Sequence, residues 1–128
     1  MIYLDTSVVV AHLLEEDRKP PEALWRGTLV SSRLLEYELW TRLNARRLAE
    51  SHGAAAREIL GRVALLELVP PVLQRALEPF PVQVRTLDAL HLASMSFLAH
   101  QGQNVQLASY DDRLIEAARS LGFETFRS

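Results

Sequence analysis

Apolar positions along this chain come in two alternating rhythms: short unbroken runs, and stripes at helical spacing. Ile2, Tyr3 and Leu4 form a run closed by Asp5, which predicts a buried strand over 2–4. A helix over 7–15 follows, with Thr6 or Asp5 placed to cap it. Residues 17–21 read as a charged, proline-broken turn, and 22–26 as a short helix after the prolines. Residues 28–31 are a short strand. Ser32 is placed to cap a helix over 33–50, striped by Leu35, Leu39 and Leu43 at i, i+4 and i+8. Gly53 is expected to interrupt, with a further helix over 54–65. Residues 66–69 fit either a helix end or a strand. A short helix over 72–78 is ended by Pro79 and Pro81. The clearest long helix spans 86–100, with Leu87, Leu90, Ala93 and Phe97 along one side and Gly102 as its stop. A strand over 105–108, a helix over 112–121 stopped by Gly122, and a strand over 124–126 complete the pattern. Short strands alternating with helices imply an α/β sandwich on a mainly parallel sheet of four to five short strands.

Size and composition narrow the picture. A chain of 128 residues is a single domain, 1–128, long enough to bury a core. Hydrophobic content of 48% with 23% charged residues describes a soluble globular protein. No apolar run approaches the roughly 20 residues of a membrane span. No basic segment followed by an apolar stretch opens the chain, so a secretory signal is not expected. Cysteine is absent, which excludes disulfides and thiolate metal sites and fits a reducing cytoplasm. The formal charge is −2, and neutralising four acids with a bound cation turns it to +2. Thirteen of the fourteen basic residues are Arg, the side chain whose planar fork suits phosphate, so a nucleic-acid ligand stays open.

Four carboxylates stand at junctions of these elements. Asp5 follows the first strand, where a parallel sheet places its ligands, although the same residue can simply cap a helix. Asp88 lies in the first turn of the 86–100 helix, favourable for the helix dipole, yet beside apolar residues where an unpaired carboxylate is costly. Asp111 and Asp112 sit between a strand and a helix; one can cap, the other can point along the sheet edge. Glu36 and Glu38 point about 200° apart on one helix, so only one faces a given site. Together the acids form an oxygen donor set that selects Mg²⁺ or Mn²⁺ over zinc.

With these residues in view, the chain resembles the PIN-domain ribonucleases, and specifically the VapC-type toxins of toxin–antitoxin pairs. The resemblance covers almost the whole length. Ile2-Tyr3-Leu4-Asp5-Thr6-Ser7 matches the family's opening apolar strand and Asp-Thr/Ser-Ser/Asn. Ser32 and Glu38 match a Ser six residues before a helical Glu, which selects Glu38 over Glu36. Leu87-Asp88-Ala89-Leu90-His91-Leu92-Ala93 is closely similar to the third motif. Leu107-Ala108-Ser109-Tyr110-Asp111 matches the fourth, with Ser109 in place of the commoner Thr, and selects Asp111 over Asp112. The resemblance implies a PIN-like three-layer α/β/α fold. It implies metal-dependent endonucleolytic cleavage of RNA, leaving a 5′-phosphate and a 3′-hydroxyl. It also implies a homodimer and a cognate antitoxin that inserts a segment into the active groove.

On this reading Asp5, Glu38, Asp88 and Asp111 hold one or two Mg²⁺ or Mn²⁺ ions, partly through water. Thr6, Ser7 and Ser109 orient a water or a ligand carboxylate. Arg33, Arg42 and Arg85 are expected phosphate contacts, with Arg46, Arg47 and Arg113 nearby. His91, three residues from Asp88, shares its helix face and fits a structural hydrogen bond better than a general base. Trp40 fits a core or an interface better than base stacking. A dehalogenase-type phosphatase needs a second Asp where Ser7 stands, and a receiver domain needs an acidic pair near its start; neither pattern is present. The competing reading is a PIN-like domain that binds RNA or protein without cutting.

Overall fold

The computed structural model describes residues 1–14 and 19–126. Glu15 at the end of the first expected helix, and Asp17 and Arg18 of the expected turn, lie outside the described residues. The elements run β1 (Ile2–Leu4), α1 (Thr6–Leu13), α2 (Glu22–Trp25), β2 (Leu29–Ser32), α3 (Leu34–Ala45), α4 (Ala49–Gly61), β3 (Ala64–Leu66), α5 (Pro70–Ala76), α6 (Thr86–His100), β4 (Gln106–Ala108), α7 (Asp112–Ser120) and β5 (Glu124–Thr125). The strands form one parallel sheet in the order β3-β2-β1-β4-β5. Tyr3 pairs with Val30 on one side and Leu107 on the other, so β1 lies at the centre, which suits its unbroken apolar sequence.

Strand alternation sends neighbouring side chains into different layers. Ile2, Leu4 and Leu29 pack with Val9, Leu35, Leu39, Leu43, Ile59 and Leu60 of α1, α3 and α4. Tyr3, Val30 and Leu107 pack with Leu92, Met95, Leu98, Leu114 and Ala118 of α6 and α7. Two apolar layers on opposite faces of the sheet make the expected α/β/α sandwich. Leu35, Leu39 and Leu43 are fully buried, as their spacing requires.

Expectations about the helices are corrected in two places, around α4 and in α6. The break after α3 is not at Gly53 but at Arg46–Leu48, where Arg47 adopts a positive φ of 57°. Gly53 lies inside α4 because α3 and α4 approach closely there: a Cβ at this position would stand 3.2 Å from Trp40 Cη2. Trp40 is thereby a packing residue, with the Arg57 guanidinium over its ring. The helix expected to 65 stops at Gly61, and 64–66 become strand β3, paired to β2. The second correction concerns α6. Its inward face carries Asp88, His91, Leu92, Met95 and Leu98, while Leu87 is exposed. Of the side marked by Leu87, Leu90, Ala93 and Phe97, Ala93 is buried and Leu87 is exposed, and the buried positions also take in the polar Asp88, His91 and Ser94.

Candidate active site

The sheet order makes β1 a switch point: the chain proceeds from β1 outward to β2 and β3, then crosses back to β4 on the other side. In open parallel sheets such a reversal opens a crevice beyond the strands' C-terminal ends. Asp5 stands at the end of β1 and Asp111 just after β4. Glu38 projects from α3, which leaves β2, and Asp88 from the first turn of α6. All four line one cleft of about 300 Å³, whose walls also include Thr6, Ser7, Arg42, Arg85 and His91. Glu36 and Asp112 do not line it. Glu36 faces Arg33 across 3.6 Å, and Asp112 is exposed in the first turn of α7.

Asp5 occupies the capping position of α1, but its side chain makes no capping bond. Its Oδ2 instead accepts from Ser7 Oγ at 2.6 Å and Ser109 Oγ at 2.8 Å. Each serine in turn accepts from a backbone amide, Ser7 from Tyr110 at 2.9 Å and Ser109 from Asp111 at 2.9 Å. The two hydroxyls thus tie the end of β1 to the loop after β4 and fix the carboxylate between them. Ser109 keeps the hydroxyl role of a Thr at that position.

Asp111 combines the two jobs that had been divided between Asp111 and Asp112. Its Oδ1 caps α7, accepting from Arg113 N at 3.0 Å and Leu114 N at 3.4 Å. Its Oδ2 accepts from Arg85 Nη2 at 2.8 Å. Arg85 Nε also donates to Asp88 Oδ2 at 2.9 Å, so one guanidinium bridges two acids, which raises its pKa, Asp88 contributing most. Glu38 is held by His91, whose Nε2 lies 2.6 Å from Oε1, while His91 Nδ1 lies 2.7 Å from the Tyr3 hydroxyl. Tyr3 is missing from the sequence-based site. Its only signal was an aromatic hydroxyl in an otherwise aliphatic strand.

Among the expected phosphate contacts, Arg42 and Arg85 line the cleft and Arg33 does not. Arg33 donates to Glu67 through Nε at 2.9 Å and Nη2 at 2.6 Å, and Glu67 raises its pKa. Arg113 borders a neighbouring hollow that shares Arg85 and Asp88 with the cleft.

The model of the PIN domain matches residues 2–120. The chain belongs to the PIN-domain family. Among the relatives of this PIN domain, Ribonuclease VapC46 of Mycobacterium tuberculosis is 35% identical over 94% of this chain and 92% of its own. Ribonuclease VapC47 of the same species is 29% identical over 98% and 95%. The crystal structure of M. tuberculosis VapC20, described as a sarcin-ricin loop cleaving toxin, superposes with a TM-score of 0.73 over the full length of both chains. At 21% identity that likeness shows the shared fold.

PIN-domain ribonucleases of the VapC type generally depend on a divalent cation. Among the described residues, no group of three or more His, Asp or Glu side chains is placed to hold a metal ion as the side chains stand. The acids ring an open cleft instead, which suits an ion that keeps several of its waters and takes only one or two carboxylates. Asp5 Oδ1, Glu38 Oε2 and Asp88 Oδ1 have no protein partner among the described residues, while the other oxygen of each is fixed. Thr6 Oγ1, buried in the cleft wall, also has no partner there. A buried hydroxyl without a partner is costly unless water or a ligand meets it. Hard oxygen donors with open lone pairs fit Mg²⁺ or Mn²⁺.

Proposed function

We propose that this PIN domain is an Mg²⁺- or Mn²⁺-dependent endoribonuclease, the toxin of a toxin–antitoxin pair, that hydrolyses RNA phosphodiester bonds. The observation that carries the reading is the convergence of Asp5, Glu38, Asp88 and Asp111 on one cleft, three of them with one carboxylate oxygen unbonded among the described residues. The ribonuclease names of its relatives supply the substrate class.

Asp5, Glu38 and Asp88 would hold the cation, with Asp111 joining once Arg85 releases it. The bound cation supplies a more acidic water and charge neutralisation at the phosphate. The protein's own part is positional. Ser7 and Ser109 hold Asp5 against rotation, and the Thr6 hydroxyl is available to a water in the cleft wall. Arg42 and Arg85 offer guanidinium groups to phosphates entering the cleft.

The partners proposed are a second copy of the chain and an antitoxin. Leu73 and Leu77 are exposed beside an apolar groove that Phe80, Val82, Val84 and Leu90 line. A second copy of the chain in a homodimer would cover them. An antitoxin segment would occupy the acidic cleft and block RNA. No helix among the described residues is long and apolar enough to cross a membrane.

The test is RNA cleavage by the purified protein, freed of any bound antitoxin. Cleavage is expected with Mg²⁺ or Mn²⁺, to stop with EDTA and return on adding metal, and to be lost in Asp5→Asn and Asp88→Asn with the fold intact. Cleavage that persists in metal-free protein overturns the cation-dependent mechanism. A metal-loaded protein that binds RNA without cutting it supports the non-cleaving alternative.

A further inference from the structure

The least explained polar feature of the molecule is a buried line of three side chains. Tyr3 and His91 are 0% and 1% exposed, among the largest fully buried side chains of the protein. Their rings meet edge to face at 82°, with the Tyr3 hydroxyl 2.7 Å from Nδ1. His91 Nε2 then lies 2.6 Å from Glu38 Oε1, and Glu38 opens onto the cleft. Polar groups in an apolar layer are costly to bury, and an apolar pair of similar volume would pack there without that cost. What the line supplies is direction.

We propose that His91, itself held by Tyr3, is the positioning residue of Glu38: it fixes Oε1 and so turns Oε2 into the cleft. The inference rests on Glu38 being a cation ligand. Glu38 reaches from α3 on a side chain with three rotatable bonds, and among the described residues His91 is the side chain that bonds its carboxylate. An ionised carboxylate only accepts, so the proton between Glu38 and His91 sits on Nε2. Nδ1 is then left to accept from the Tyr3 hydroxyl, 2.7 Å away. Each group is satisfied in one arrangement, and that arrangement leaves one carboxylate oxygen for the site. α6 therefore contributes Asp88 to the cleft directly and, one turn later, the group that aims Glu38.

The test is Mn²⁺ affinity measured by calorimetry on the full chain, with circular dichroism confirming the fold of each variant. His91→Leu removes the donor, Tyr3→Phe removes only the hydroxyl, and His91→Gln keeps an N–H donor. His91→Leu is expected to weaken Mn²⁺ about tenfold to a hundredfold, the usual cost of losing a group that orients a metal ligand. Tyr3→Phe should weaken it less, and His91→Gln should recover most of the loss. In a Glu38→Gln background the His91→Leu effect should vanish, because there is no carboxylate left to aim. A purely structural network would lower the melting temperature yet leave Mn²⁺ affinity unmoved in folded variants, or weaken it equally with and without Glu38. Either result overturns the proposal. If His91→Leu does not fold, Tyr3→Phe alone decides, and unchanged affinity there counts against the proposal. Should wild-type protein bind no Mn²⁺, the cation-dependent reading falls and this inference with it; wild-type binding with unaffected variants removes only the inference.

Discussion

Asp111 carries two functions on two oxygens, and they can be separated. Oδ1 caps α7 by accepting from two first-turn amides, and Oδ2 faces Arg85 at the cleft. Asp111→Ala removes both. Losing an N-cap costs about 1 kcal/mol. The chain has 128 residues, so its unfolding entropy is roughly 270 cal/mol/K at about 2.1 cal/mol/K per residue. A loss of that size lowers the melting temperature by about 4 °C. Asn caps as well as Asp, because its amide oxygen accepts the same bonds. At the cap itself, Asp111→Asn loses only the favourable charge at the helix end, about 0.3 kcal/mol for an exposed site, or about 1 °C. Its amide N–H groups would meet the Arg85 guanidinium donor to donor, so Asn cannot replace the Oδ2 interaction. The expected outcome is a split: Ala melts clearly lower and Asn barely lower, while both lose RNA cleavage. Scanning calorimetry and a gel-based cleavage assay read the two halves. Asn melting as low as Ala would refute the capping argument, and Asn cleaving RNA at the wild-type rate would remove Asp111 from the site.

Three further outcomes follow from single contacts. Arg85→Gln should raise Mn²⁺ affinity in calorimetry, since the guanidinium holds the Asp88 and Asp111 oxygens a cation would use; a weaker affinity would show that Arg85 does not compete for them. Gly53→Leu should destabilise by about 1–3 kcal/mol through overpacking against Trp40 and shift its fluorescence, and unchanged urea unfolding would contradict the close approach of α3 and α4. Leu39→Ala, at a fully buried position one residue from Glu38, should cost about 2–5 kcal/mol in urea unfolding, and a loss below about 1 kcal/mol would place it outside the core.

Most of the fold was legible because strand runs and helical stripes are local signals. β1 was marked by three apolar residues, and α3 by Leu35, Leu39 and Leu43, all fully buried. The misplaced break after α3 shows the limit of reading Gly alone. Gly53 serves interhelix proximity, whereas the chain turns at Arg47, a residue with no turn signature. The inner face of α6 was misjudged for a related reason. Apolar content marked the side bearing Leu87, yet Leu87 is exposed while Asp88 and His91 are buried.

The candidate acids were legible from their places at strand ends and helix starts. Their supports were not. The serine clasp on Asp5 joins residues about a hundred positions apart, and His91 meets Glu38 across 53 positions. Such pairings exist only once the sheet order is known. Arg33 shows the converse: its place beside the site helix suggested phosphate, yet Glu67, on the segment after β3, takes its guanidinium.

The central claim is that the open oxygens of Asp5, Glu38 and Asp88 gather a divalent cation in this cleft. A crystal of the protein soaked in Mn²⁺ and measured for anomalous scattering tests it directly. A peak is expected within the cleft, bounded by those three carboxylates, and it should disappear in Asp5→Asn. A saturating soak that leaves the cleft without a peak, or places the ion elsewhere on the surface, would contradict it.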